Sequence, residues 1–136
     1  MWHNVEIIGY LGRDPEMRYT PDGQSVTRFS LAASRNWKSV EGEKRSQTIW
    51  FSVTAWGKMG EACNTYLQKG SKVFISGHFN PDQHGNPRIW SNKNGEPAAS
   101  YEVTADDVRF LDSREDRPER SDLEYSDELS EDDIPF

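Results

Sequence analysis

Alternation of apolar and polar positions runs through most of the chain. In VEIIGYL, residues 5–11, Val5, Ile7, Gly9 and Leu11 share a face, which predicts a strand that can bend at its glycine. RDPE interrupts the pattern, and TPDG, residues 20–23, has the proline and glycine of a tight turn. A second strand is expected in VTRFSLAAS, residues 26–34, with Phe29, Leu31 and Ala33 on one side. The polar, basic NWKSVEGEKRSQ, residues 36–47, predicts the tip of a long hairpin whose returning arm is TIWFSVTAW, residues 48–56. That arm turns Ile49, Phe51, Val53 and Ala55 one way and Trp50 and Trp56 the other.

From Lys58 to Gln68 the period changes. Met59, Ala62, Cys63 and Tyr66 fall at i, i+3, i+4 and i+7, the mark of an amphipathic helix of about three turns, with Cys63 and Tyr66 on its core face. Gly70 stands where a left-handed residue would end it. KVFISGHF, residues 72–79, alternates again. HGNP and NKNG then flank PRIW, predicting an extended loop or a small hairpin between Asn80 and Ser100. A last strand is expected over Tyr101–Leu111, interrupted near Asp106 and Asp107; no internal repeat is present. Three strands, one helix and two strands suit an all-β, five-stranded OB-fold barrel; a small sandwich is the alternative, which the single helix between strands three and four disfavours.

The charge divides the chain in two. The formal net charge is −7, but residues 112–136 hold eleven acids against three arginines, net −8, leaving thirteen basic and twelve acidic residues, net +1, in residues 1–111. Two units follow: a globular domain over 1–111 and an acidic tail over 112–136. The tail has few aliphatics and no period, so disorder is expected. It ends in Glu131, Asp132, Asp133, Ile134, Pro135 and Phe136, an apolar plug with a free carboxylate behind acids, suited to docking in a partner's basic-rimmed pocket. No stretch is long enough for a membrane helix, the N-terminus lacks a signal-peptide pattern, and Cys63 is the only cysteine. A cytoplasmic protein without membrane association is expected.

The outward tryptophans carry the chemistry. Trp50 and Trp56 lie roughly 20 Å apart along a strand, with Ser52 and Thr54 as a small polar floor between them. Trp37 and Trp90 stand on segments that could fold over that face, among Arg35, Lys38, Lys44, Arg45, Lys58 and Arg88. Flat rings interleaved with cations suit unpaired nucleic acid, whose bases stack at about 1–3 kcal/mol each while cations meet the phosphates. A single tryptophan is more often core or interface, as Trp2 is expected to be, and a basic hairpin tip is more often merely solvated. Four tryptophans beside a complete aliphatic core weaken that alternative. No metal or cofactor is expected, and no catalysis: His3, His78 and His84 lack ligand spacing, no glycine-rich phosphate loop occurs, and adjacent Asp106 and Asp107 face opposite ways.

VEIIGYLGRDPEMRYTPDG, FSLAASRNW, TIWFSVTAWGKMGEACNTYLQKGSKVFISG and EDDIPF together resemble the bacterial-type single-stranded-DNA-binding proteins, over nearly the whole chain. The resemblance implies an OB fold that coats single strands exposed in replication, recombination and repair, without sequence preference. It implies stacking by Trp37, Trp50, Trp56 and Trp90, with Trp56 where the family usually has phenylalanine. Phosphate contacts would come from Arg35, Lys58, Lys69 and Arg88. It further implies a homotetramer joined through first strands, and a tip at residues 131–136 that recruits DNA-processing enzymes. NPDQHGNPRIWSNKNGEPAAS departs from the family in its length and its lack of a basic run. The rivals are an OB-fold accessory module of the primosome or protein-interaction type, whose tryptophans are interface, and a metal-dependent nuclease.

Overall fold

The computed structural model describes residues 1–111. Nine elements follow in order: β1 (Val5–Leu11), β2 (Glu16–Tyr19), β3 (Ser25–Lys38), β4 (Lys44–Trp56), α1 (Gly57–Tyr66), β5 (Lys72–Phe79), β6 (Ile89–Ser91), β7 (Pro97–Ala99) and β8 (Tyr101–Phe110). The main sheet has the order β1-β5-β8-β4-β3-β2, and a further β1–β3 pairing closes it with β2 left outside the ring. Five strands thus close into a barrel, antiparallel except for β4 against β8, with α1 between the third and fourth barrel strands. The OB-fold expectation is met.

Alternation builds the core. Ile7 and Leu11 of β1, Phe29 and Leu31 of β3, Val53 and Ala55 of β4, Val73 and Ile75 of β5, and Val103 and Ala105 of β8 all turn inward and are buried. The helix closes one end. It packs through Gly60 and Cys63, and Leu67 follows into the core just past its last turn. The inward Thr27 is satisfied by donating its hydroxyl to the Gly60 carbonyl at 2.7 Å, and Ser25 donates to the Glu61 carboxylate at 3.0 Å.

Four details differ from expectation. Tyr66 is 62 % exposed, its ring tilted against Phe110 at 6.0 Å between centroids, because the buried helix stripe is centred on Gly60, Cys63 and Leu67. Gly70 does not end the helix: Leu67 is already extended, and Gly70, at φ +89°, belongs to the turn closed by the Ser71 N–H on the Gln68 carbonyl. EMRY, which begins at the last residue of the RDPE break and for which no strand is expected, is β2, paired with the first part of β3. The hairpin strands run on to Lys38 and from Lys44, leaving only residues 39–43 as the tip. The expected irregularity near Asp106 is present: the β5–β8 register shifts between Ser76 and Gly77, passing over Asp106.

One turn design recurs four times, beginning at Thr20, Ser39, Asp82 and Asn92. In each, the glycine three residues on has positive φ and donates its N–H to the first residue's carbonyl, while the first N–H donates to the carbonyl four residues on. The leading side-chain oxygen accepts the N–H of Gln24, Glu43, Asn86 or Glu96 respectively. A type I turn followed by a left-handed residue gives this three-residue connection, which is why Gly stands fourth each time.

Candidate nucleic-acid interface

Register decides which side chains share a surface. Across β3 and β4 it is unbroken from Val26↔Trp56 to Lys38↔Lys44. Trp50 therefore pairs with Ala32, Ser52 with Ser30, Thr54 with Arg28 and Trp56 with Val26, all on the outer wall. β2 widens that wall by setting Glu16 opposite Arg28 and Arg18 opposite Val26. Trp50 and Trp56 are 42 % and 43 % exposed although the same strand buries Val53 and Ala55 completely. The Trp50 indole lies over Gly12 so closely that a Cβ there would stand 2.6 Å from its Cζ3.

A cleft of about 230 Å³ opens at Ser30 and Ser52, which the register sets between the positions of Trp50 and Trp56, although neither indole lines it. Ser52 and Ser30 are on its floor with Arg28, whose Nη2 donates to the Ser52 Oγ at 3.0 Å. Arg13 and Arg18 line it as well, with Asp14 and Glu16 at its rim. Asp14 Oδ1 accepts the Lys69 N–H at 2.9 Å, which pins Lys69 beside the β1–β2 turn. Arg13, Arg18 and Arg28 were missed in sequence, where they pass for the polar half of an alternating strand or a turn. The signal that could have found them is the pairing of EMRY beside VTRF.

Trp37 is not on that wall. Its register partner is Arg45, so it lies on the opposite side of the β3–β4 ribbon, where that ribbon extends beyond the barrel. Arg35 stacks over its ring, Cζ 4.7 Å from the centroid. Arg45 is paired with Glu43 at 2.9 Å. At the ribbon's end Lys38 faces Lys44 directly, a like-charge pair that an anion would relieve. Lys58 is exposed in the first turn of α1, two residues after Trp56.

Trp90 and Arg88 belong to a separate construction. Trp90 pairs with Ala98 in the two-stranded β6–β7 sheet, the small hairpin allowed by the turn signals. It is 48 % exposed. Arg88 borders a mainly apolar hollow of about 540 Å³ with Phe79, Pro81, Pro87 and Tyr101. The Asn86 and His84 N–H groups hold the Asp82 carboxyl below its usual range, with the Arg88 charge adding to the effect. No strand pairing joins this hairpin to the wall that carries Trp50 and Trp56.

Among the described residues no cluster of His, Cys, Asp or Glu could hold a metal ion. His78 Nδ1 contacts the Asp106 carboxylate at 3.0 Å, and the Phe79 N–H donates to His3 Nε2. Burial pushes the Cys63 thiol up to about 11. Glu131, Asp132, Asp133, Ile134, Pro135 and Phe136, and the whole expected tail, lie outside the described residues. Among the described residues no helix is long and apolar enough to cross a membrane.

Known proteins resemble this chain throughout the barrel. A sequence model of the Single-strand binding protein family matches residues 2–111. Single-stranded DNA-binding protein 1 of Chlorobaculum tepidum is 37% identical over 125 residues, spanning 91% of this chain and 74% of its own length. The single-stranded DNA-binding protein of Neisseria meningitidis is 34% identical over 112 residues, spanning 82% of this chain and 61% of its own. Among solved structures, a Plasmodium falciparum SSB in complex with ssDNA is 25% identical with a TM-score of 0.68, covering 82% of this chain and 97% of that one. A deletion mutant of the Thermus aquaticus single-stranded DNA binding protein is 26% identical with a TM-score of 0.63, covering 82% and 51%.

Proposed function

The chain belongs to the single-strand binding protein family, and we propose on that premise that it binds single-stranded DNA without regard to sequence and without catalysis. Bases stack on Trp37, Trp50, Trp56 and Trp90, while Arg35, Lys58, Lys69 and Arg88 meet phosphates. One observation carries the reading: two indoles stand over 40 % exposed on the outer wall of a barrel whose core is already complete. Leaving that much apolar ring in water costs free energy that a stacked base recovers, at about 1–3 kcal/mol per base. Stacking ignores base identity, because every base has a π-face.

The biological task follows from the chemistry: strands bared in replication, recombination and repair are coated. The division into a binding domain over 1–111 and an acidic tail over 112–136 belongs to the same reading. So does a homotetramer, and so does a docking tip at Glu131–Phe136 that recruits DNA-processing proteins.

Titrating the full-length protein with oligo(dT) while following tryptophan emission tests the reading. Strong quenching is expected, from indoles covered by bases. A signal that does not respond would assign the tryptophans to protein contacts, as in an accessory module. Intact oligonucleotide after long incubation with magnesium or manganese is expected as well; cleavage would make the protein a nuclease. Light scattering with and without a long strand measures the assembly.

A further inference from the structure

Resting on the single-strand-binding reading, we propose that the cleft bordered by Arg13, Arg18 and Arg28 seats a phosphodiester of the bound strand, at a register position between the stacking sites at Trp50 and Trp56. The first reason is position. The two rings are separated by six residues of β4, roughly 20 Å, whereas stacked neighbours along one strand rise only about 3.4 Å. No two adjacent stacked bases reach both rings. The sugar-phosphate chain between them must cross Ser52 and Thr54, and the cleft opens at Ser52.

The second reason is the donor set. An arginine presents five N–H donors in a planar fork suited to phosphate oxygens. Arg28 commits Nη2 to the neutral Ser52 hydroxyl, and not to Glu16, its cross-strand neighbour. Among the described residues its charge has no direct ion pair. The Ser30 and Ser52 hydroxyls lie beside it on the same floor. A cleft of about 230 Å³ is ample for an anion with water, since one water takes about 30 Å³.

The acids at the rim do not close the seat. Asp14 is turned to the Lys69 N–H. Glu16 meets Arg18 only at 3.7 Å, with both side chains largely exposed, a pair of the kind that contributes little. An incoming phosphate replaces Glu16 as the partner of Arg18. Three arginines and two serines line one opening that the register sets between Trp50 and Trp56, the order needed for alternating base and phosphate.

The experiment measures the salt dependence of oligo(dT) binding for the full-length protein and for Arg28→Gln, by tryptophan quenching. Each phosphate contact on a single strand contributes about 0.7 to the slope of log K against log salt concentration. The variant is expected to lose about 0.7 from that slope, so that its affinity ratio between 50 and 200 mM salt shrinks by about 2.6-fold. Quenching at saturation stays as in the wild type, because the rings are untouched. Arg28→Lys, which keeps the charge, restores the slope. Arg18→Gln, on the edge strand, gives the same measurement should Arg28→Gln fold poorly. Wild-type quenching with an unchanged slope in both glutamine variants overturns the seat alone. An absence of quenching in the wild type removes the strand-binding reading and the seat with it.

Discussion

Trp50 and Trp90 have similar exposure, 42 % and 48 %, but they stand on unlike ground. Trp50 comes one residue before Phe51–Thr54, the stretch of β4 paired with β3 on one side and β8 on the other. Phe51 beside it packs against the core, Val53 is within the core, and the Trp50 indole rests over Gly12. Trp90 occupies a three-residue strand whose partner is another three-residue strand, and no residue from 80 to 100 is buried. The first ring is placed by the same packing that closes the barrel. The second is placed by turn chemistry alone, in a segment with the features of low local stability. In the proposed stacking, a base at Trp50 or Trp56 would meet a ring already in position, whereas one at Trp90 would also have to offset the ordering of its hairpin.

The largest expected effect follows directly. Replacing Trp50 and Trp56 together by alanine removes two stacks and weakens oligo(dT) binding by about 2–6 kcal/mol, whereas Trp90→Ala costs about 1 kcal/mol or less because the ordering cost disappears with the contact. Fluorescence anisotropy with a labelled oligo(dT) measures both, without depending on the tryptophans removed. Equal losses per ring would break the distinction between the two regions.

Stability separates the regions next. Leu31, fully buried, should cost about 2–5 kcal/mol on truncation to alanine, while Ile89→Ala, on the exposed β6, stays within about 0.5 kcal/mol. Urea unfolding gives both numbers. Cys63 adds a pH dependence that belongs to the barrel only. Its folded thiol holds its proton up to about 11, against 9.0 for an ordinary one. The folded state therefore binds the proton more tightly, its contribution is complete below about pH 9, and it is lost as pH climbs towards 11. The fall should be shallower in Cys63→Ala.

How much of this was legible depends on whether a feature is local. TPDG, HGNP and NKNG were readable as turns because the side-chain oxygen and the glycine that make each one lie within five residues. SVEG has the same form, but it was hidden in a polar run. Beyond the barrel neither face of a ribbon is buried, so residues 36–38 and 44–47 give no alternation to read. β2 was invisible for a related reason: four residues with one inward Met17 become a strand only because β3 is there to pair with. Tyr66 was assigned to the core by counting apolar residues, yet the helix approaches the barrel through Gly60, which no hydrophobicity pattern records. Among site residues, Trp50 and Trp56 follow from a single strand's parity. The face of Trp37 and the arginines around Ser52 depend on inter-strand register, which is a long-range property.

Gly12 offers a sharper probe of the placed ring. Gly12→Val introduces a Cβ into the space of the Trp50 indole, 2.6 Å from Cζ3, and the ring must turn away. Binding should weaken by no more than one stack, about 1–3 kcal/mol, with a shift in Trp50 emission that is absent when Trp50 is also replaced. In the double variant Gly12→Val, Trp50→Ala the two effects should not add, because both act on one contact. Additive losses would mean that the turn itself touches DNA.

The smallest effect tests the other side of the contrast. Asn92 Oδ1 accepts the N–H groups of Asn94 at 2.9 Å and Glu96 at 3.0 Å, and these bonds help fold the β6–β7 turn. Asn92→Ala removes them, at about 0.5–1.5 kcal/mol per bond, from a hairpin that shares no buried residue with the barrel. Amide exchange at residues 89–91 and 97–99 should accelerate while the strands of the barrel keep their protection and the global unfolding midpoint does not move. Oligo(dT) affinity falls only by the share that Trp90 supplies. A drop in the global midpoint would show that the excursion and the barrel unfold as one unit, and then Trp90 would be as firmly placed as Trp50.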